Sequence, residues 1–400
     1  MSVITNKKRI DEIFNRGIVA EILPSKEELL KKLLSGDRLR IYIGADPTST
    51  SLHLSHAKNY MFLEELRQLG HEAIILFGDF TAQIGDPTGR SDTRPQLTEG
   101  QVRENAQGWV SQIKPLMNFD DKKNPPRILY NSDWLSKLSF KDVVSLAANF
   151  TVQQMIERDM FQRRLENKSP IYLHEFLYPL MQGYDSVAMD VDIELCGNDQ
   201  IFNALAGRTL LKRIKNKEKF VIALNLMANP KTGELMSKNK GAGVFLSLPP
   251  NEMFGAIMAE PDEMIEVFFV NNTRIPLTQK DEIMAAGPRN AKARVAFEIV
   301  KIFFGEDKAK FAEEEFNKTF REGGLMPNDA PQIHAGKGDL LIDVVIKSGL
   351  VSSKNEIKRL IDEGAVSDFK KGKISDYHFK LLESLDLRIG KHRFLKIIID

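Results

Sequence analysis

Leu39-Arg-Ile-Tyr-Ile-Gly-Ala-Asp-Pro-Thr-Ser-Thr-Ser-Leu-His-Leu-Ser-His56 reads as a strand, a short polar turn and the first turn of a helix. The helical segment is amphipathic and stops at Gly70, and a second apolar run, Glu72-Ala-Ile-Ile-Leu-Phe77, follows at once. The unit is therefore strand, helix, strand, the building block of a parallel sheet. A helix N-terminus offers unpaired N–H groups and a partial positive charge, where a phosphate can sit. Histidines there add donors for charge that develops only during a reaction. The bland alternatives are a zinc pair or two solvated residues. Zinc needs further ligands, and the only cysteine, Cys196, is far away in sequence.

Working outward, the remaining composition sets bounds. The chain has 400 residues, which favours two or three domains over one. Its 42% apolar and 28% charged content is ordinary for a globular protein. A net charge of +1 gives no global attraction to nucleic acid, so RNA contacts must be local. One cysteine excludes an intrachain disulfide framework. The N-terminus carries Lys7, Lys8 and Arg9 without the apolar core of a signal peptide, and no apolar run approaches membrane-spanning length. The expectation is a cytoplasmic protein with no membrane association.

From Leu39 to about Gly207, strand-like runs alternate with helical periodicity, which predicts an α/β fold. The segment 120–172 breaks the alternation with Asn124-Pro-Pro126 and a long helical stretch from Phe140 to Leu165, and reads as an insertion. From Pro249 to Phe320 the periodicity is helical, and residues 321–331 have linker composition. The expected domains are thus 1–248, 249–325 and 336–400.

Four further constellations carry chemistry. Thr81-Ala-Gln-Ile-Gly-Asp-Pro-Thr-Gly-Arg90 follows the second strand, at the end where parallel sheets bind ligands. Asp86 suits an ammonium there, and Arg90 and Arg94 suit phosphates, against the alternative of a plain tight turn. Tyr178, Gln182 and Asp185 fall on one helix face, a poor core stripe but a fitting wall for a small zwitterion. Cys196-Gly-Asn-Asp-Gln200 ends the strand-like alternation Val191-Asp-Ile-Glu-Leu195, placing Asp199 for ribose hydroxyls and Gly197 for close approach of a planar group. Leu235-Met-Ser-Lys-Asn-Lys-Gly-Ala-Gly243 is glycine-rich and offers Lys238 to a polyphosphate. Taken singly, the bland readings (a solvated face, a strand-end turn, a basic loop) compete with each of these.

Together they resemble one family. "PT-x3-LH-x-x-H" is similar to the HIGH signature of class I aminoacyl-tRNA synthetases, and Met236-Ser-Lys238 has the place and core letters of KMSKS. From Leu39 to Lys396 the chain resembles the bacterial tyrosyl-tRNA synthetases. The resemblance implies a Rossmann-type nucleotide-binding domain with a parallel sheet (α/β), then an all-α domain that binds the anticodon. A small α+β RNA-binding domain, ribosomal-protein-S-four-like, would close the chain. It implies that L-tyrosine is activated by ATP with Mg2+, without a structural metal, and passed to tRNA(Tyr) by a homodimer whose 120–172 insertion lies at the interface. It further implies that Tyr42 and Asp185 hold the substrate phenol, and that Asp86, Tyr178 and Gln182, with Gln200 close by, hold its ammonium. Thr48, His53, His56 and Lys238 would act on the phosphates. Gly44, Asp46, Arg90, Arg94, Gly197, Asp199, Met236 and Ser237 would complete the ATP site.

Three positions depart from the family pattern. Ser55 stands for the glycine of HIGH, Leu235 for the first lysine of KMSKS and Asn239 for its last serine. In the final module, the capping box Ser353-x-x-Glu356 opens a helix that stops at Gly364. Leu387–Ile399 reads as a basic strand. Thirteen Lys and Arg stand against ten Asp and Glu in 336–400, so RNA binding needs Lys354, Lys358, Arg359, Lys391 and Arg393 gathered on one face. The rival readings are a tryptophanyl-tRNA synthetase, whose substrate indole Asp185 would accept, and a synthetase-derived, non-catalytic RNA-binding protein.

Overall fold

The run beginning at Leu39 is the strand around which the main sheet is assembled. The computed structural model describes every residue except 1, 87–96, 237–242, 322–329, 352, 370–371, 391–392 and 400. In chain order the sheet contains β1 (Val19–Leu23), β2 (Arg40–Ala45), β3 (Glu72–Phe77), β4 (Arg127–Tyr130), β5 (Ile193–Gly197) and β6 (Phe220–Leu224). Their spatial order is β1-β6-β5-β2-β3-β4. From β4 across to β6 all neighbours are parallel, with Tyr42 opposite both Ile74 and Glu194. Successive residues Ile41, Tyr42, Ile43 and Ile74, Ile75, Leu76 are all buried, as expected of strands covered on both faces. The chain passes from β2 outward to β3 and β4, then returns to build β5 and β6 on the other side. That reversal leaves a crevice between the carboxyl ends of β2 and β5.

Three features of this part of the chain differ from the sequence reading. β1 pairs antiparallel with β6, so the sheet has one antiparallel edge strand lying before the point where the strand pattern was first read. The segment 120–172 is not wholly an insertion, because β4 lies within it and pairs with β3 from Ile74 opposite Arg127 to Phe77 opposite Tyr130. The long helix expected beyond Phe140 is broken into Phe140–Ala147, Val152–Ile156 and Asp159–Glu166. Ser139 and Thr151 accept from the backbone N–H of Asp142 and Gln154, so each starts a new helix where continuous periodicity had been read.

The chain divides into two compact units, Met1–Pro249 with Glu260–Phe304, and Pro250–Ala259 with Gly305–Asp400. The helical stretch 249–325 is shared between them. In the first unit, the helix Met264–Asn272 buries Phe268 and Phe269, and Asn272 Nδ2 donates to Leu54 O at 2.8 Å. Arg16 clamps that helix's end, donating to Val270 O, Phe269 O, Thr273 O and Ile275 O at 2.8–3.1 Å. In the second unit, Pro250–Ala259 packs on Glu306–Arg321, with the Phe254 and Phe316 rings 5.4 Å apart.

The second unit also holds β7 (Gln332–Ala335), β8 (Val366–Asp368), β9 (Gly372–Lys373), β10 (Leu385–Ile389) and β11 (Arg393–Ile399), in the order β7-β11-β10-β8-β9. With the helices Leu341–Lys347 and Lys354–Asp362 they enclose one core that includes Val345, Ile357, Leu387 and Leu395. The basic stretch Leu387–Ile399, read as one strand, is a hairpin of β10 and β11. Gly390, with φ +68°, makes the reversal that a side chain would strain.

Candidate active site

A cavity of about 250 Å³ opens at the carboxyl ends of β2 and β5, where the strand order reverses. It gathers Tyr42, Gly44, Asp46 and Thr48 from β2 and its turn, Asp86 from beyond β3, and Gly197 and Gln200 from β5 and its turn. Tyr178, Gln182 and Asp185 enter from one face of the helix Tyr178–Met189, with Pro179 in its first turn where the missing N–H costs nothing.

One end of the cavity is a closed polar network. Asp185 is 3% exposed; its Oδ1 accepts from Trp134 Nε1 at 2.7 Å and its Oδ2 from Asn131 Nδ2 at 3.3 Å. Burial pushes its carboxyl well above the usual range, while these two donors pull the other way. Asn131 Nδ2 also donates to Thr81 Oγ1 at 3.0 Å, and Thr81 donates to Asp46 Oδ1 at 2.7 Å. Asp46 Oδ2 accepts from Tyr178 OH at 2.8 Å. Burial raises the Tyr178 and Tyr42 phenols, so both stay protonated. Gly78 lies against this chain: a Cβ there would fall 2.0 Å from Asp46 Oδ1 and 2.3 Å from Thr81 Oγ1. Tyr42, fully buried, has its hydroxyl 3.0 Å from Ser186 Oγ. Nearby, Gln200 Nε2 donates to Asp86 Oδ2 at 2.8 Å, and Gln200 Oε1 accepts from Asn203 Nδ2 at 2.8 Å.

The histidines sit where the helix Leu54–Gln68 begins, their ring centroids 4.0 Å apart. His56 Nδ1 accepts from the His53 backbone N–H at 3.2 Å, which leaves the ring proton on Nε2. Burial first, then the neighbouring His53 and Lys58, push its pKa down to about 3, so His56 is a neutral donor. Lys58, two residues on, is 2% exposed and donates to Asn225 O and, at 3.1 Å, to Asn59 Oδ1; burial lowers its pKa to about 8 against the pull of Asp199. Asp199 is itself raised by burial, and a Cβ on Gly197 would stand 2.5 Å from Asp199 Oδ1, so a side chain there would push the carboxylate aside.

Arg90, Arg94, Ser237, Lys238 and Lys391 lie outside the described residues, as does Asn239. The flanks of 237–242 are described: a Cβ on Gly243 would lie 3.3 Å from Met236 Cγ and 4.0 Å from His53 Cβ, and Leu54 N donates to Val244 O at 3.0 Å. Leu235 is 47% exposed. In the C-terminal unit, Lys354 pairs with Asp343 at 2.8 Å, Arg359 with Glu363 at 3.8 Å, and Lys358 lies over the Tyr377 ring. Arg393 is held by Leu350 O and Glu356 Oε1 at 2.8 and 2.7 Å.

Sequence reasoning missed Asn131, Trp134, Thr81, Ser186, Glu194 and Lys219. The polar turn Asn131-Ser-Asp-Trp134 at a strand's carboxyl end was the available signal for the first two. That signal is hidden because β4 lies inside what the sequence presents as an insertion.

A six-strand sheet with a ligand crevice at its reversal and a histidine pair opening the adjoining helix defines a nucleotide-activating enzyme of the class I synthetase type. Residues 34–321 match the family "tRNA synthetases class I (W and Y)". The chain is 43% identical to the tyrosine–tRNA ligase of Carboxydothermus hydrogenoformans, over 98% of this chain and 98% of that protein. It is 37% identical to that of Thermotoga maritima, over 96% of each. The fold is shared with a C-terminally truncated mitochondrial tyrosyl-tRNA synthetase of Aspergillus nidulans (TM-score 0.65, 21% identity, 78% of this chain and 94% of that one). It is also shared with the Archaeoglobus fulgidus tyrosyl-tRNA synthetase complexed with L-tyrosine (TM-score 0.58, 19% identity, 76% and 98%). The chain belongs to the class I tRNA synthetases and, within them, to the tyrosine–tRNA ligase family.

Proposed function

We propose that this chain joins L-tyrosine to ATP, releasing pyrophosphate, and then passes the tyrosyl group to the 3′-terminal ribose of tRNA(Tyr). The observation that carries the reading is a buried phenol, Tyr42, and a buried carboxylate, Asp185, on the wall of one cavity at the sheet's switch point. A tyrosine phenol placed there donates to Asp185 and accepts from Tyr42. Its ammonium meets Asp86, Tyr178 and Gln182, with Gln200 close by. The carboxylate then faces the α-phosphorus of ATP, whose phosphates lie at Thr48, His53 and His56, and whose ribose lies at Gly197 and Asp199. Gly44, Asp46 and Met236 border that nucleotide, and Ser237, Arg90 and Arg94, outside the described residues, are assigned to it as well. The work is positioning and charge stabilisation of an in-line displacement. His56, neutral, donates from Nε2 without competing for the proton, and Lys238 supplies positive charge as pyrophosphate leaves. Magnesium enters with ATP as part of the substrate.

Large apolar side chains are exposed in 140–173: Phe140 is 84% exposed and Leu173 80%, with Val144, Val152, Leu165 and Tyr172 also open. So much exposed apolar surface in one stretch fits burial by a second copy, and we assign a homodimer. Residues 1–248 are assigned to catalysis, 249–325 to the anticodon and 336–400 to RNA binding through Lys354, Lys358, Arg359, Lys391 and Arg393. A cytoplasmic setting fits the single buried cysteine, Cys196. Among the described residues no helix is long and apolar enough to cross a membrane. Pyrophosphate exchange with tyrosine or tryptophan as the only amino acid tests the reading: tyrosine should support it and tryptophan should not. Exchange with neither would leave only an RNA-binding role.

A further inference from the structure

Gln182 and Ser186, one turn apart on the helix Tyr178–Met189, both touch a buried ion pair that the proposed reaction does not use. The side chains of Glu194 on β5 and Lys219 just before β6 are 2% and 0% exposed and pair through Oε2 and Nζ. Removing two charges from water is costly unless every remaining lone pair and proton is satisfied. Here Glu194 Oε1 accepts from Gln182 Nε2 at 3.0 Å, and Lys219 Nζ also donates to Ser186 Oγ at 2.9 Å. Ser186 Oγ lies 3.0 Å from Tyr42 OH and 3.5 Å from Glu194 Oε2. The helix Ile201–Lys215 makes room with a glycine, since a Cβ on Gly207 would stand 2.6 Å from Lys219 Nζ and 2.7 Å from Ser186 Oγ.

Each member of the pair can hydrogen-bond in one sense only. A carboxylate accepts, so Gln182 must turn its NH2 to Glu194, and its carbonyl oxygen is the end left for the cavity. An ammonium donates, so Ser186 Oγ must accept from Lys219. The serine hydrogen has two acceptors within reach, Tyr42 OH at 3.0 Å and Glu194 Oε2 at 3.5 Å, and Glu194 also acts on the Tyr42 phenol, so the pair ties the Tyr42 hydroxyl into one network. We propose that Lys219 and Glu194 are positioning residues for the amino-acid site, turning the Gln182 carbonyl oxygen toward the substrate ammonium and holding the Tyr42 hydroxyl, through Ser186, beside the substrate phenol. The proposal rests on the tyrosine reading of that cavity and deepens it. Asp185, which can only accept while ionised, is the complementary partner for the phenol hydrogen.

The test compares two paired replacements in the full-length chain, neither of which leaves an unpaired buried charge. Glu194→Gln with Lys219→Met keeps an acceptor toward Gln182 and a donor toward Ser186. Glu194→Leu with Lys219→Met removes both and frees Gln182 and Ser186 to turn. In pyrophosphate exchange the apolar pair should raise the KM for tyrosine by about tenfold or more, the scale of losing a directed hydrogen bond to a charged group. KM for ATP and kcat should stay within about threefold, because the interaction is made before the transition state. The Gln-Met pair should stay within about threefold of wild type for tyrosine on the same reasoning. Equal tyrosine KM values in the two variants, or ATP KM rising as much as tyrosine KM, would overturn the proposal while leaving the ligase reading intact. Absence of tyrosine-dependent exchange in the wild-type chain would overturn both.

Discussion

Replacing Asp185 with asparagine removes one charge and almost no volume, and the hydrogen bonds around it predict a large effect. The two carboxylate oxygens face two donors, Trp134 Nε1 at 2.7 Å and Asn131 Nδ2 at 3.3 Å. An amide presents one oxygen and one NH2, so in either orientation one donor meets another. Asn131 cannot relieve the conflict by flipping, because its Oδ1 already accepts from Phe80 N at 3.0 Å. The variant therefore leaves one buried donor unpaired, at about 1–3 kcal/mol, and loses a charged acceptor for the phenol, at about 1.5–3 kcal/mol. The unpaired donor weakens the fold in free and bound enzyme alike, while the lost charged acceptor lowers kcat/KM for tyrosine by about tenfold to somewhat over a hundredfold, at 1.36 kcal/mol per factor of ten. The assay is pyrophosphate exchange with tyrosine and with phenylalanine. Tyrosine should lose its advantage, since phenylalanine never made the missing bond. A tyrosine kcat/KM within about threefold of wild type would refute the argument, and would mean that Asp185 works as a neutral acid that an amide can imitate.

Three further outcomes are expected. Gly78→Ala should reduce tyrosine activation severely, because its Cβ must displace the Asp46–Thr81 bond; normal exchange kinetics would show that this bond is dispensable. His71 is fully buried and its pKa is pushed down to about 4 by burial. The unfolded chain therefore takes up this proton below about 6.5 while the folded chain does not, and stability falls with pH by about 1.4 kcal/mol per unit from 6.5 toward 4. Urea unfolding at pH 7 and pH 5 should show a smaller loss in His71→Gln than in wild type, and parallel losses would disprove the linkage. Removing residues 330–400 should spare tyrosine-dependent exchange and sharply reduce tRNA charging, since among the described residues the core holding that module together draws on Ile333 and residues beyond it. Equal loss of both activities would mean that the module supports the catalytic fold.

What the sequence determined by itself is local. Strand 40–45, the polar turn, the histidine-led helix and strand 72–77 are written in periodicity and turn chemistry between near neighbours, and they appear where the pattern puts them. The same holds for Tyr178, Gln182 and Asp185, whose spacing fixes a shared face whatever surrounds it, and for Ser353, which accepts from Glu356 N at 3.2 Å as a helix start should. The tertiary structure alone decided which buried polar groups meet. Glu194 sits in an alternation that reads as a half-solvated strand, yet β5 is covered on both faces and its carboxylate is answered by Lys219, a residue with no signal of its own. Trp134 reaches Asp185 across some fifty residues only because β4 joins the sheet, and a four-residue strand inside an apparent insertion has too little periodicity to announce itself. Spacing along the chain encodes faces. Partners across the sheet are set by how the strands are ordered, and that order is a property of the whole packed unit.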